Sequence, residues 1–219
     1  MNTILYTIKN GYYIPFIYVA LYTITRNTFL STIIVLKIYP ANYFFWFSHN
    51  YSYLPKHNWI KQFIRFTDSG HIVSFLYFFH PKYLPLAFTI HYVITIGYWT
   101  GKILLQMGDS DKLFLSDLDS QFEDIWSGMI HSVPLILLTR EIVIKNECML
   151  FGYENLKLSY AWGYFWFFCI YIPWRLYTGD CVYDIFSNKN SWKKIAGFFV
   201  FIHFTVLSGD FTGYYIAGC

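Results

Sequence analysis

From Leu158 to Tyr177 the chain reads LSYAWGYFWFFCIYIPWRLY, twenty residues with a single charge, Arg175. A helix of about 20 apolar residues matches the hydrocarbon thickness of a bilayer. Such a segment has no polar face to turn toward water, so it belongs in a large core or in lipid. A large core is excluded by the rest of the chain. In 219 residues, 56% are apolar, 24% are aromatic and only 13% are charged. Soluble domains carry about a quarter charged residues, and here too few remain to coat a water-facing surface. Disorder is excluded by the same apolar content. Four cysteines without regular spacing make no disulfide framework and no metal motif. A net charge of +3, with no basic cluster beyond Lys193–Lys194, leaves no nucleic-acid footprint.

Further apolar runs recur between short polar breaks. The first extends from Asn27 to about Ser48 and is interrupted by Lys37 and Pro40. Before it, Tyr12–Ile24 reads as an interfacial helix within an N-terminal segment 1–26, or as the first half of one long tilted span. The second runs from about Phe63 to Phe79, ending at Pro81, and the third from about Leu84 to Leu105. Only His80 to Tyr83 separate these two, which predicts a tight antiparallel pair. An acidic extramembrane loop, 106–124, follows. The fourth span is about Ile125 to Ile144 around Pro134, the fifth is the aromatic run, and the sixth is about Ile195 to Ile216. The expectation is an all-α integral membrane bundle of about six transmembrane helices forming one domain, 1–219. No cleavable signal peptide is evident, and the lysine and arginine distribution leaves orientation open.

Polar residues inside spans are costly and become functional candidates. Thr67, Asp68 and His71 lie early in the second span and His91 in the third. His131 and Ser132 lie early in the fourth, and His203 and Asp210 in the sixth. The second and fourth spans start from the same side, which places Thr67 and His131 at similar depth. Thr178, Asp180 and Tyr183 follow the fifth span on that side. A hydroxyl, an imidazole and a polar turn thus converge just under one membrane surface. His71, four residues after Thr67, shares its helix face. A threonine hydroxyl needs a base to become a nucleophile, and a neutral imidazole suits that work. The plainer expectations are a threonine bonded to its own helix and a histidine bonded across helices. No metal-binding spacing and no phosphate-binding glycine loop occurs, so no metal and no cofactor is expected. The aromatic stripe of the fifth span reads as lipid-facing and packing surface.

Three blocks resemble a known family. They are Trp126-Ser127-Gly128-Met129-Ile130-His131-Ser132-Val133-Pro134 ending at Arg140-Glu141, then Thr178-Gly179-Asp180-Cys181-Val182-Tyr183, and Phe63-Ile64-Arg65-Phe66-Thr67-Asp68. In order and spacing they resemble the androgen-induced and androgen-dependent family of membrane threonine hydrolases. The resemblance implies six transmembrane helices and cleavage of fatty acid esters of hydroxy fatty acids. It also implies Thr67 as nucleophile, His131 as base and an endomembrane location. Ser132, Thr178, Tyr183 and His71 are the supporting candidates. The chain departs from the family at Cys181, where Trp is usual, and at Asp184, where Pro is usual.

Two functional classes stay open. One is a lipid ester hydrolase acting on membrane lipids through Thr67 and His131. The other is a non-catalytic subunit of a larger membrane complex, for example in the mitochondrial inner membrane, which the aromatic content and scarce charge also suit. A transporter would show inverted repeats or a polar helix lining, and neither is visible.

Overall fold

Every regular element among the described residues of the computed structural model is helical, and none of them is a strand. The structure describes residues 14–35, 64–104, 117–145, 151–179, 181–187 and 190–219. The chain divides into two units, Met1–Phe63 and Ile64–Cys219.

In the first unit, α1 (Ile14–Thr25) is followed by helical residues 28–35. Between them Arg26 adopts φ +53°, a left-handed conformation unfavourable for a residue with a Cβ. Asn27 then caps the next helix, its Oδ1 accepting the Leu30 N–H at 2.9 Å. Ile14–Thr25 and the residues after it are therefore two helices, not one continuous rod. The remainder of the Asn27–Ser48 run lies outside the described residues.

The second unit begins with α2 (Phe66–Phe79), a 3₁₀ turn at Pro81–Tyr83 and α3 (Leu84–Trp99), which widens into a π-helical turn at Thr100–Leu104. Next comes α4 (Asp117–Lys145). The acidic segment expected as a loop is thus helical from Asp117 onward. Asp117 and Asp119 fall in its first turn, where acidic residues complement the positive end of the helix dipole. Residues 105–116 lie outside the described residues. The aromatic run forms α5 (Tyr153–Phe165), a π-helical turn at Trp166–Tyr171 and α6 (Ile172–Thr178) without a break. The widened turn sits just before Pro173, whose missing N–H disrupts regular helical bonding there. A short 3₁₀ turn, Asp184–Phe186, leads to α7 (Trp192–Ile216).

Helix α3 is the hub, packed against α2, α4, α5 and α7. Its residues from Leu84 to Ile94 are almost all buried. Two of the helices around it, α7 and α2, bury many small or polar residues and expose large apolar ones. On α7 the inward residues are Thr205, Val206, Gly209, Asp210 and Gly213, while Val200, Phe204, Leu207 and Phe211 face outward. Phe204 is 70% exposed and Asp210 only 5%. On α2 the buried residues are Thr67, Asp68, Ser69, Gly70, His71, Val73, Ser74 and Tyr77, and Ile72, Phe78 and Phe79 are exposed. Water would invert that arrangement, because apolar burial drives folding there. Lipid permits it, since helix association in lipid relies on small residues and interhelical hydrogen bonds. Ser127–Lys145 and Trp192–Ile216 are long and apolar enough to cross a membrane, with only 17% and 22% of their apolar windows buried inside the protein.

Close approach of α7 to α3 depends on glycine. A Cβ at Gly209 would lie 3.0 Å from Tyr92 Cδ1, and one at Gly213 would collide with the Phe151 ring. Beside them Asn155 ties three helices together. Its Nδ2 donates to Asp210 Oδ1 at 2.5 Å and to Thr89 Oγ1 at 3.1 Å. Cys219 is disulfide-bonded, which the cysteine spacing did not signal, and Cys169 and Cys181 are free thiols.

Candidate active site

Thr67 and His131 meet across α2 and α4, with Thr67 Oγ1 3.1 Å from His131 Nε2. The direction of that bond follows from the other ring nitrogen. His131 Nδ1 lies 2.6 Å from the Ser127 carbonyl, one turn back on α4. A carbonyl only accepts, so Nδ1 carries the proton. In the neutral ring Nε2 then presents its lone pair, and the Thr67 hydroxyl donates to it.

Thr67 is available for this role because of its place in its helix. Thr32, Thr139, Thr178 and Thr205 all donate to the carbonyl four residues earlier in their own helices. Thr67 is the second residue of α2, so the helix offers it no carbonyl four residues back. Its hydroxyl turns across the bundle instead. It is also buried, at 7% exposure.

The base is held from several sides. Pro134 inside α4 lacks the N–H that the Ile130 carbonyl would receive, loosening the helix around His131. There the Thr95 hydroxyl of α3 donates to the His131 carbonyl at 2.5 Å. One turn further along α3, the Tyr98 ring lies flat on the imidazole, with centroids 3.9 Å apart and planes within 12°. Trp99 donates its indole N–H to Ser132 Oγ at 2.9 Å.

The polar turn after the aromatic run reaches the start of α2. Gly179 takes φ +72° and closes α6, a conformation that suits glycine. Arg175 donates to the Phe186 carbonyl and lies 2.6 Å from Cys181 Sγ, holding the turn against its helix. Tyr183 is thereby carried back to α2, where its hydroxyl oxygen accepts the Phe66 N–H at 2.8 Å. That satisfies one of the four N–H groups every helix start leaves open. Burial pushes the Tyr183 phenol up to about 12, partly offset by the Phe66 amide, by Arg65, and by the Thr67 amide and hydroxyl. It stays protonated and able to donate through the physiological range. Trp166 and Trp162 complete the collar, donating to the Ile64 carbonyl at 2.9 Å and Ser69 Oγ at 3.3 Å.

The sequence candidates therefore separate. Thr67, His131 and Tyr183 come together. Ser132 is engaged by Trp99, Thr178 bonds its own helix at Trp174, and the His71 ring packs on His91 at 5.4 Å. The aromatic run divides between packing and outer surface: Trp166 and Tyr171 are buried with Val182, Ile185 and Phe186, while Phe165 and Phe168 are exposed. Ser127, Thr95, Tyr98 and Arg175 escaped sequence reasoning. Only Ser127 left a signal, its spacing of four residues before His131.

The arrangement is a hydroxyl, a base with a fixed tautomer and a third group orienting the base, the geometry of an activated nucleophile. Compared with protein-family profiles, curated proteins and solved structures, the chain matches none.

Proposed function

We propose that this protein is a multi-pass membrane hydrolase that cleaves fatty acyl esters at the membrane surface, with Thr67 as nucleophile and His131 as general base. The observation that carries the proposal is the 3.1 Å approach of Thr67 Oγ1 to His131 Nε2, together with the Ser127 carbonyl that sets the imidazole tautomer. The six-helix bundle belongs to the same proposal. It draws on the inside-out faces of α2 and α7 and on the unbroken helix from Tyr153 to Thr178.

In the acylation step Thr67 Oγ1 attacks the ester carbonyl carbon as His131 Nε2 takes the hydroxyl proton. The tetrahedral oxyanion faces the Tyr183 hydroxyl, which acts as a hydrogen-bond donor. Collapse expels the alcohol oxygen, which leaves with the proton held on Nε2, and an acyl-threonine remains. A water then gives its proton to Nε2 and adds to the acyl carbonyl. The fatty acid departs and the proton returns to Thr67.

The test uses full-length protein in lipid nanodiscs with a fluorophosphonate probe and a fatty acyl ester. Wild type should label at Thr67 and turn over, and Thr67→Ala should do neither. His131→Gln should slow both by about 10²–10⁴-fold, the usual worth of a general base. A wild type that neither labels nor turns over refutes the proposal.

A second reading, a non-catalytic subunit of a larger membrane complex, draws on the outer surface. Midway along α7 the Tyr164 hydroxyl lies 2.7 Å from His203 Nε2, and Tyr164 is 45% exposed. A polar pair on a lipid-facing surface is costly, and a partner helix would cover it. Migration of the native protein in a large complex, with Thr67→Ala silent in every assay, would favour that reading.

A further inference from the structure

Inside a helix a threonine hydroxyl ordinarily bonds the carbonyl four residues back, as Thr139 does on α4 and Thr205 on α7. Thr95 departs from that habit. It lies well inside α3, one turn after His91, so its own helix offers it a carbonyl. Its hydroxyl nevertheless donates to the His131 carbonyl on α4, at 2.5 Å. A hydroxyl has a single proton to give, and here it is given to another helix. Its destination is the backbone of the base.

That stretch of α4 gains from an outside hold. Pro134 takes one N–H out of the helix ladder beside His131, and a hydrogen bond from a neighbouring helix restores rigidity there. The same side of α3 continues the grip. Tyr98, three residues after Thr95, stacks on the His131 ring at 3.9 Å, and Trp99, four residues after it, donates to Ser132 Oγ at 2.9 Å. The residue before Thr95 meets the helix of the other partner. Ile94 is the side chain that a Cβ on Gly70 would strike, and Gly70 lies three residues after Thr67 on α2. Consecutive residues of α3 thus register both helices, the one that carries the hydroxyl and the one that carries the base.

We infer that Thr95 is a positioning residue of the proposed reaction: its hydroxyl fixes the backbone of His131 against α3 and so sets the imidazole in line with Thr67. The inference rests on the Thr67–His131 reading and adds to it what holds the base at the height and rotation where Oγ1 meets Nε2. Thr95 acts through the His131 backbone, so its hydroxyl should serve the chemical step and leave substrate binding little changed.

The experiment compares wild type, Thr95→Ser, Thr95→Val and Thr95→Ala as full-length proteins in nanodiscs. Serine keeps the hydroxyl, valine keeps the shape without it, and alanine removes it and leaves room. Two quantities are read. One is fluorophosphonate labelling, resolved into its limiting rate and its half-saturating concentration. The other is the ¹³C resonance of the His131 carbonyl, labelled through histidine and assigned by its loss in His131→Gln. In Thr95→Val and Thr95→Ala the limiting rate should fall about 10- to 100-fold, with half-saturation within about twofold of wild type. Their carbonyl resonance should move upfield, because the carbonyl has lost its donor. Thr95→Ser should keep the wild-type resonance and label within about threefold of the wild-type rate. A hydroxyl-free variant that labels at the wild-type rate overturns the inference. So does a serine variant that falls as far as valine, because volume and not the hydroxyl then matters. Loss of folding in both hydroxyl-free variants overturns it too, by making the hydroxyl structural. Wild-type protein inert to the probe overturns the hydrolase reading, while the carbonyl resonance still decides whether Thr95 holds the His131 backbone.

Discussion

Gly70→Ala tests whether the contact between α2 and α3 sets the geometry of the site. Gly70 lies three residues after Thr67, and its missing Cβ is where the two helices touch. An added Cβ would collide with Ile94 Cδ1 and lie 3.3 Å from Ile90 Cγ2 and 3.4 Å from His91 Cε1. Two effects oppose each other. Alanine favours the helix over glycine by about 0.5–1 kcal/mol. Overpacking a filled core costs about 1–3 kcal/mol. The second should win, because Ile94 is only 5% exposed and its tip must give way within the protein interior. The expected net loss of about 1–2 kcal/mol lowers the midpoint of thermal unfolding in detergent by about 2–8 °C. The helices must also part slightly, taking Thr67 away from His131. A misplacement of about 1 Å at a reacting pair costs up to about 10²-fold, so fluorophosphonate labelling should fall by at least about tenfold. Ile94→Val removes the colliding methyl. Alone it should cost about 0.5–1.5 kcal/mol, and in the Gly70→Ala background it should be neutral or stabilising. Additive effects of the two substitutions, or a Gly70→Ala protein more stable than wild type, would refute the reasoning.

Three other outcomes follow from the same structure. The Tyr183 phenol, raised to about 12 in the fold against about 10 in an unfolded chain, favours the folded state at neutral pH. That stabilisation is complete below pH 10 and is lost as pH rises from 10 to 12; about 2 kcal/mol should disappear across that window in wild type and not in Tyr183→Phe, as read by unfolding at each pH. Asp210→Ala removes the acceptor of Asn155 Nδ2 and should lower stability by about 1–2 kcal/mol, and combining it with Asn155→Ala should cost less than the sum of the two. Phe204→Lys places a charge on the outer face of α7 and should impair membrane insertion by about 2.5–3.5 kcal/mol, as measured by a glycosylation-based insertion assay. Tolerance of that lysine would mean that water, not lipid, bathes α7.

The helices were legible in the sequence to within a turn or so wherever a long apolar run ended at a charge, Pro or Gly. The aromatic run from Leu158 to Tyr177 became helix throughout, with Pro173 marking a widened turn and no break. The prediction failed at the acidic segment. Its charge predicts a loop, whereas acidic residues also favour the first turn of a helix, and α4 begins at Asp117. Gly209 and Gly213 gain their role only from the fold, where Tyr92 and Phe151 lie against them.

For the candidate site, residue type and depth along the spans brought Thr67 and His131 to one level. Depth does not give rotation about the helix axis, however, and rotation decides whether two side chains meet. Tertiary structure supplied that rotation, and with it the Ser127 carbonyl, the Thr95 hydroxyl and the Tyr98 face around the base. It also decided what Thr67 bonds: near the start of its helix it turns across the bundle, whereas Thr32, Thr139, Thr178 and Thr205 bond to their own turns. By itself the sequence determined that this chain is helical and unusually rich in apolar and aromatic residues, because composition and run length are properties of the chain alone. Only the packed structure decided which polar groups touch, because that depends on helix register and on close approaches at glycines that residues far apart in the chain create together.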